Sequence, residues 1–253
     1  MSTVLIYTSP ARGHLYPMMD VAIALRDSGH RVVVQTLADE RDTVTSQGLE
    51  HRPVNPAVEA IPLDDHAGGN PLAQLRNTLA CWLARAPHEL DDLTAAEREV
   101  QPDLLVVDAN SWGAAAYAEG RKRPWAMFLP YCLPVPSADA PAFGPGFPAP
   151  QHWYDRARDR LVWAGQHATG RSTVKRLNVL RGEVGAAPVK TVSDLYQRSD
   201  VLLYRTAEPF EYPRRDWPAN VRAIGPGLWA PPGEEPEWLA DLPHPRTLVT
   251  VST

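Results

Sequence analysis

Two side chains of this 253-residue sequence have the types that base catalysis needs, His14 and Asp108. An imidazole titrates near neutral pH and takes up a proton through one ring nitrogen while the other is held. A carboxylate that accepts a hydrogen bond from the held nitrogen fixes the tautomer and raises the basicity of the free one. The two residues are far apart in the chain, so the pairing depends on the elements that carry them.

His14 lies in the stretch Thr3-Val4-Leu5-Ile6-Tyr7-Thr8-Ser9-Pro10-Ala11-Arg12-Gly13-His14-Leu15-Tyr16-Pro17. An aliphatic run stops at Ser9-Pro10, turns through Gly13 and passes into a helix beginning around Leu15 to Met19. Met18, Val21, Ala22 and Leu25 recur there at helical spacing. His14 is thus expected at the turn exit, between the carboxyl end of a strand and the amino end of a helix, where open α/β sheets hold ligands. The helix dipole disfavours imidazolium at that place, so the ring is expected to stay neutral. Asp108 ends Pro102–Asp108, a continuous aliphatic run of the kind buried in a parallel sheet. Further strands are expected at Arg31–Thr36, Leu49–Val54, Pro124–Leu129, Val201–Tyr204 and Val221–Ile224. The alternation of strand and helix predicts an α/β fold with a doubly wound, mostly parallel Rossmann-like sheet. With a 3-2-1-4-5 strand order, the first strand and the Asp108 strand are neighbours at the topological switch point. His14 and Asp108 then meet over one crevice. The plainer readings are a histidine capping its turn and an aspartate capping its strand.

The remaining elements frame that crevice. Asp39 is expected to cap a short helix ending near Gly48. An acid after the second strand suits a dinucleotide ribose, but Ser9 to His14 holds one glycine and no Gly-x-Gly-x-x-Gly turn, which argues against a nicotinamide enzyme. Asn55–Asn70 reads as a loop, with Asp64-Asp65-His66 solvated in it rather than binding a metal. Pro71 opens a long helix with Leu72, Leu75, Leu79, Trp82 and Leu83 on one face, kinked at Pro87; Trp82 borders the core or a pocket. Pro130–Pro150 is a proline-rich loop leaving a strand's carboxyl end, and its Tyr131, Phe143 and Phe147 offer an apolar wall for a bulky hydrophobic ligand. Gln151 to Glu183, with Trp153 at its start, reads as a helix or helix pair broken near Gly165 or Gly170. A shorter helix follows near Val192–Arg198, and another at Glu237–Leu242. Gly225 onward reads as an exposed linker, and Arg246–Thr253 as a strand at the terminus. The expected division is residues 1–224 as one domain, 225–245 as an interdomain linker and 246–253 as the first strand of a further domain.

Composition narrows the class. A net charge of −5 without a long basic run argues against nucleic acid as a partner. Lys122, Lys175 and Lys190 are the only lysines among 25 basic residues, a bias that points to a GC-rich bacterial genome. Cys81 and Cys132 form no metal spacing and are expected as thiols in a reducing cytosol. No signal peptide or transmembrane stretch is apparent, so a cytoplasmic protein is expected.

Gly13-His14-Leu15-Tyr16-Pro17 resembles the Gly-His-x-x-Pro signature of nucleotide-sugar-dependent glycosyltransferases with the two-domain GT-B fold, most of all the bacterial branch acting on macrolides and other polyketides. Pro102–Asp108 is similar to that family's Pro-Asp strand ending in aspartate. Glu208-Pro209-Phe210-Glu211-Tyr212-Pro213 and Asn220–Pro226 are similar to its end-of-domain segment, and Leu248–Thr253 to the strand opening its donor domain. The resemblance implies that His14 is the general base, that Asp108 orients it, and that a sugar passes from a nucleotide-sugar to an acceptor hydroxyl with inversion. It further implies acceptor binding by Trp82, Tyr131, Phe143, Phe147 and Trp153, contact with the donor at Gly13, Ser252 and Thr253, and no cofactor or metal beyond the nucleotide-sugar substrate. The family's donor-holding motif is not found in these 253 residues, so the chain is expected to be an acceptor half that is inactive alone. A non-catalytic small-molecule binding module, an activating partner of a separate transferase, and a relative of cell-wall or sterol glucosyltransferases remain alternatives.

Overall fold

The structure, a computed structural model, describes residues 1–63, 69–207, 209–233 and 238. Seven parallel strands form one sheet in the order β3-β2-β1-β4-β5-β6-β7. They are β1 (Thr3–Tyr7), β2 (Arg31–Thr36), β3 (Glu50–Pro53), β4 (Leu104–Asp108), β5 (Trp125–Leu129), β6 (Val201–Tyr204) and β7 (Val221–Ala223). The expected 3-2-1-4-5 order is therefore present, extended by two strands. The β1–β4 register runs from Val4↔Leu104 to Tyr7↔Val107, which places Thr8 beside Asp108 just past the strand ends.

Strand side chains alternate between faces, and each face has its own cover. Val4, Ile6, Val106 and Phe128 pack with Leu15, Met18, Met19 and Ala22 of α1 (Arg12–Asp27) and Val44 of α2 (Arg41–Thr45). Leu5, Tyr7, Leu105, Val107 and Met127 pack on the other side with Leu93 and Ala96 of α4 (Pro71–Val100) and Ala114, Ala115 and Ala118 of α5 (Trp112–Gly120). Helix α6 (Trp153–Glu183) adds an outer layer through Val174 and Leu177 against Leu79, Leu83 and Trp112. Each fully buried Leu or Met on these faces contributes about 1.5–3 kcal/mol of transfer free energy.

Several local expectations are corrected. Helix α1 begins at Arg12, not near Leu15, and its most buried face is Leu15, Met18, Met19 and Ala22, with Val21 and Leu25 at the edge. Asp39 caps nothing: it lies in a 3-10 turn, Ala38–Glu40, and pairs with Arg12 at 2.8 Å across the crevice rim. The Asn55–Asn70 segment starts with a helical turn, α3 (Pro56–Glu59), capped by Asn55 Oδ1 accepting from the Ala57 N–H at 2.9 Å. Leu72 is exposed at the first turn of α4, outside the apolar stripe. Helix α6 runs unbroken through Gly165 and Gly170. A Cβ on Gly170 would make ordinary van der Waals contact with Val192 Cγ2 at 3.6 Å and Leu79 Cδ1 at 3.8 Å.

The segment read as an exposed linker is strapped down at its start. Asp20 of α1 ion-pairs with Arg205 and accepts the Leu228 N–H at 3.0 Å, and the Trp229 ring meets Tyr16 edge-on at 5.4 Å. Residues 230–233 have no regular structure. Asp64-Asp65-His66, Glu208, the Glu237–Leu242 helix apart from Trp238, and the Arg246–Thr253 strand with Ser252 and Thr253 lie outside the described residues. No helix among the described residues is long and apolar enough to cross a membrane.

Candidate active site

Ala11 precedes α1 in extended backbone, and the N–H groups of His14 and Leu15 both donate to its carbonyl at 3.0 Å. His14 therefore sits inside the first helical turn rather than at a turn exit. Gly13 shares that turn, and nothing lies within 4 Å of the place its Cβ would take, so the surface beside His14 is open. Pro17 lacks the N–H that would bond the Gly13 carbonyl four residues back, and leaves that oxygen without its helical donor.

Across the switch point, His14 Nδ1 donates to Asp108 Oδ2 at 2.7 Å. The other Asp108 oxygen, Oδ1, accepts the Asn110 N–H at 2.8 Å. Asp108 is fully buried at the end of β4, whereas the His14 side chain keeps 18% of its exposure. Burial pulls the His14 pKa down and is the largest influence. The Asp108 charge and hydrogen bond together overcome it, with Arg85 opposing, and the pKa ends above the ordinary 6.5. The downward pull of the helix dipole is outweighed, because a full carboxylate charge in contact exceeds about half a charge at a helix end, and the shift is upward. The stability this pair supplies is fully present below the ordinary 6.5 and is lost as pH rises through the raised folded value.

Beneath the pair lies a set of buried polar groups. Glu89 of α4 accepts the Gly113 N–H at 2.8 Å, capping α5, and burial pushes its carboxyl up to about 8, so it is protonated at neutral pH. Asp92 accepts from the Tyr7 hydroxyl at 3.0 Å and the Asn55 N–H at 2.7 Å, while Arg85 Nε donates to the Ile61 carbonyl at 3.0 Å. Sequence reasoning passed over these residues. Their signal was the spacing of Arg85, Glu89 and Asp92, which puts three charges on one face of a helix whose neighbours are apolar. Asn110 and Tyr196, which complete the network around His14, carried no such signal.

The aromatic residues expected at the acceptor site separate into groups. The Tyr131 ring stands edge-on to His14 with centroids 6.1 Å apart, and Phe143 lies 6.3 Å beyond it. Phe147 lies under the Arg158 guanidinium at 4.2 Å. Trp82 packs edge-on against Trp112 at 5.3 Å. Trp153 is 77% exposed and touches Tyr154. Among the described residues, Tyr131 alone of this set makes a ring contact with His14, and Phe143 is reached only through Tyr131. An apolar groove of about 600 Å³ opens elsewhere, between the C-terminal half of α1 and the β4–β6 face, lined by Leu25, Val106, Ala126, Val201, Leu203 and Ile224, and none of the site residues lines it.

A parallel sheet wound in both directions from β1 is the fold this chain shares with solved GT-B glycosyltransferases. The glycotransferase of kitacinnamycin superposes with a TM-score of 0.62 at 20% identity, over 93% of this chain and 55% of that one. The spinosyn forosaminyltransferase SpnP gives 0.59 at 20% identity, over 96% and 55%. In sequence, the chain is 29% identical over 269 residues to 4'-demethylrebeccamycin synthase of Lentzea aerocolonigenes, covering 98% of this chain and 62% of that protein. Its relatives and structural neighbours are thus bacterial glycosyltransferases of natural products, and the chain spans less than two thirds of their length. No protein-family model matches the chain.

Proposed function

We propose that this chain is the acceptor-binding, base-supplying part of an inverting glycosyltransferase acting on a hydrophobic natural product. The observation that carries the proposal is the 2.7 Å bond from His14 Nδ1 to the buried Asp108, which leaves Nε2 as the proton acceptor beside Tyr131. An acceptor hydroxyl gives its proton to Nε2, and its oxygen attacks the anomeric carbon of a nucleotide-sugar. The bond from that carbon to the diphosphate oxygen breaks in the same displacement, so configuration inverts. Asp108 stabilises the imidazolium that forms, as a buried carboxylate does for other catalytic histidines. Tyr131 and Phe143 supply apolar surface to a flat acceptor, with Trp82, Phe147 and Trp153 as the outer candidates.

The departing diphosphate needs preorganised donors, and such electrostatic stabilisation is usually the larger catalytic contribution. That role is assigned to a donor domain beyond residues 1–224, reached through 225–245 and begun at 246–253, with Gly13 meeting the donor from this side. No metal or cofactor takes part in the scheme, and the cytoplasm is the proposed compartment. Calorimetric titration of the 253-residue chain with a nucleotide-sugar and, separately, a flat polyketide acceptor tests the division of labour. Acceptor binding without donor binding or sugar transfer is expected. Transfer by this chain alone would place the donor site within it, and donor binding without acceptor binding would reverse the assignment.

A further inference from the structure

We propose that Asn110 is a positioning residue for His14: anchored by Tyr131 and Tyr196, its side-chain amide holds the imidazole as the Nδ1–H tautomer and occupies the Nε2 lone pair until an incoming hydroxyl displaces it. The proposal deepens the reading of His14 as the base and rests on that reading for its place in the reaction.

The hydrogen atoms of this network can be assigned from one end to the other. Asp108 is a carboxylate and only accepts, so His14 Nδ1 carries the proton of their 2.7 Å bond. In the neutral ring Nε2 is then an acceptor, and the group facing it at 3.1 Å is Asn110 Nδ2, which donates. The opposite end of the same amide, Oδ1, accepts from the Tyr131 hydroxyl at 2.6 Å. Having donated its one proton there, the Tyr131 oxygen accepts from the Tyr196 hydroxyl at 3.1 Å. Burial holds both phenols protonated, Tyr131 well above its ordinary value and Tyr196 up to about 12, so the direction of the chain does not reverse while His14 titrates. A flipped amide would turn an oxygen toward the Nε2 lone pair and would face Tyr131 with a donor, forcing both phenol protons to re-pair.

Nε2 has a single in-plane lone pair. An acceptor hydroxyl therefore bonds there only by taking the position of the Asn110 amide, which is itself buried and held from behind. The arrangement keeps the neutral ring correctly oriented, with a weak neutral hydrogen bond as the placeholder. It also discourages imidazolium, because the amide presents a donor where a protonated Nε2 needs an acceptor. The other charged groups that act on the ring are Asp108 at the end of β4, which favours imidazolium, and Arg85 of α4, which opposes it. Glu89 of α4 acts on Asp108 from below and is protonated at neutral pH. Arg12 on the first turn of α1 is engaged by Asp39 and Glu40.

The test is nitrogen-15 NMR of the 253-residue chain with labelled histidine, which reads tautomer and titration midpoint without turnover. Above the midpoint, His14 is expected with Nδ1 protonated and Nε2 bare. Asn110→Ala and Tyr131→Phe are each expected to raise the midpoint by roughly 0.5–1 unit, the equivalent of one neutral hydrogen bond. Because Tyr131 acts through the amide, the double variant should shift no further than Asn110→Ala alone. Tyr196→Phe, which does not touch Asn110, should move the midpoint the same way by less and guards against a local folding defect. An Nε2–H tautomer in the unmodified chain, unmoved midpoints, or fully additive shifts would overturn the proposal. Failure of the base reading shows differently, as normal sugar transfer by a His14→Ala enzyme while His14 of the unmodified chain still shows the locked Nδ1–H tautomer.

Discussion

Replacing His14 with alanine in the full-length enzyme is expected to lower kcat by about 10²–10⁴-fold, the usual contribution of a positioned base, with the acceptor KM nearly unchanged. The ring makes one strong bond to Asp108 and one to Asn110, and its loss removes proton transfer rather than the apolar surface that holds an acceptor. Asp108→Asn is expected to cost nearly as much. Asp108 Oδ1 is committed to the Asn110 N–H and Oδ2 to His14 Nδ1. An asparagine that keeps its oxygen toward the backbone N–H must turn its NH₂ to Nδ1. That donor forces the proton onto Nε2, the wrong tautomer for a base. Steady-state kinetics of both variants check this; a kcat within a few-fold of the parent for His14→Ala would remove His14 from the mechanism.

The largest effect on stability is expected at Gly113, where α5 crosses α4. A Cβ there would lie 1.8 Å from the Ala86 carbonyl oxygen and 2.6 Å from its carbon, both of them backbone. No side-chain rotation relieves that overlap. Nor is α4 free to retreat, since Glu89 holds the Gly113 N–H and Asp92 is tied to Tyr7 and Asn55. Gly113→Ala should therefore cost about 3 kcal/mol, the upper part of the range for overpacking a close contact. It should also disturb the site, because Asn110 and Ser111 lead directly into α5. Gly165→Ala is the control: nothing lies within 4 Å of its would-be Cβ in the middle of α6, and the change should stabilise by about 1 kcal/mol through helix propensity. Urea titration of the two variants measures both. Parent-like stability in Gly113→Ala would contradict the close approach of the two helices.

The parts of this molecule that could be read from sequence are those fixed by local pattern and by sheet topology. The aliphatic runs at Thr3–Tyr7 and Leu104–Asp108 could only be buried strands, and winding order then made them neighbours. A histidine at the start of the helix after β1 and an aspartate ending β4 were enough to predict the His14–Asp108 contact. Glycine misled because a long helix tolerates it: Gly165 and Gly170 read as possible breaks, yet α6 runs through both. Asp39 misled because an acid before a short helix suggests a cap, whereas an arginine from another element engages it. The Asn110–Tyr131–Tyr196 network was not legible, because it joins three segments through side-chain atoms whose alignment no periodicity encodes. The upward pKa of His14 was missed for a related reason. The dipole of its own helix was visible in sequence, and the distance to the opposing carboxylate was not.

The dependence of acceptor kcat/KM on pH tests the central claim most directly, since in the free enzyme it titrates the essential base. A rate that rises with pH between about pH 5 and 8 is expected, because the base works only as neutral imidazole. The midpoint of that rise should lie above the ordinary 6.5, in keeping with the Asp108 charge, and the rise should disappear in His14→Ala. A profile that is flat across this range, or a rise that persists unchanged without His14, would contradict the account.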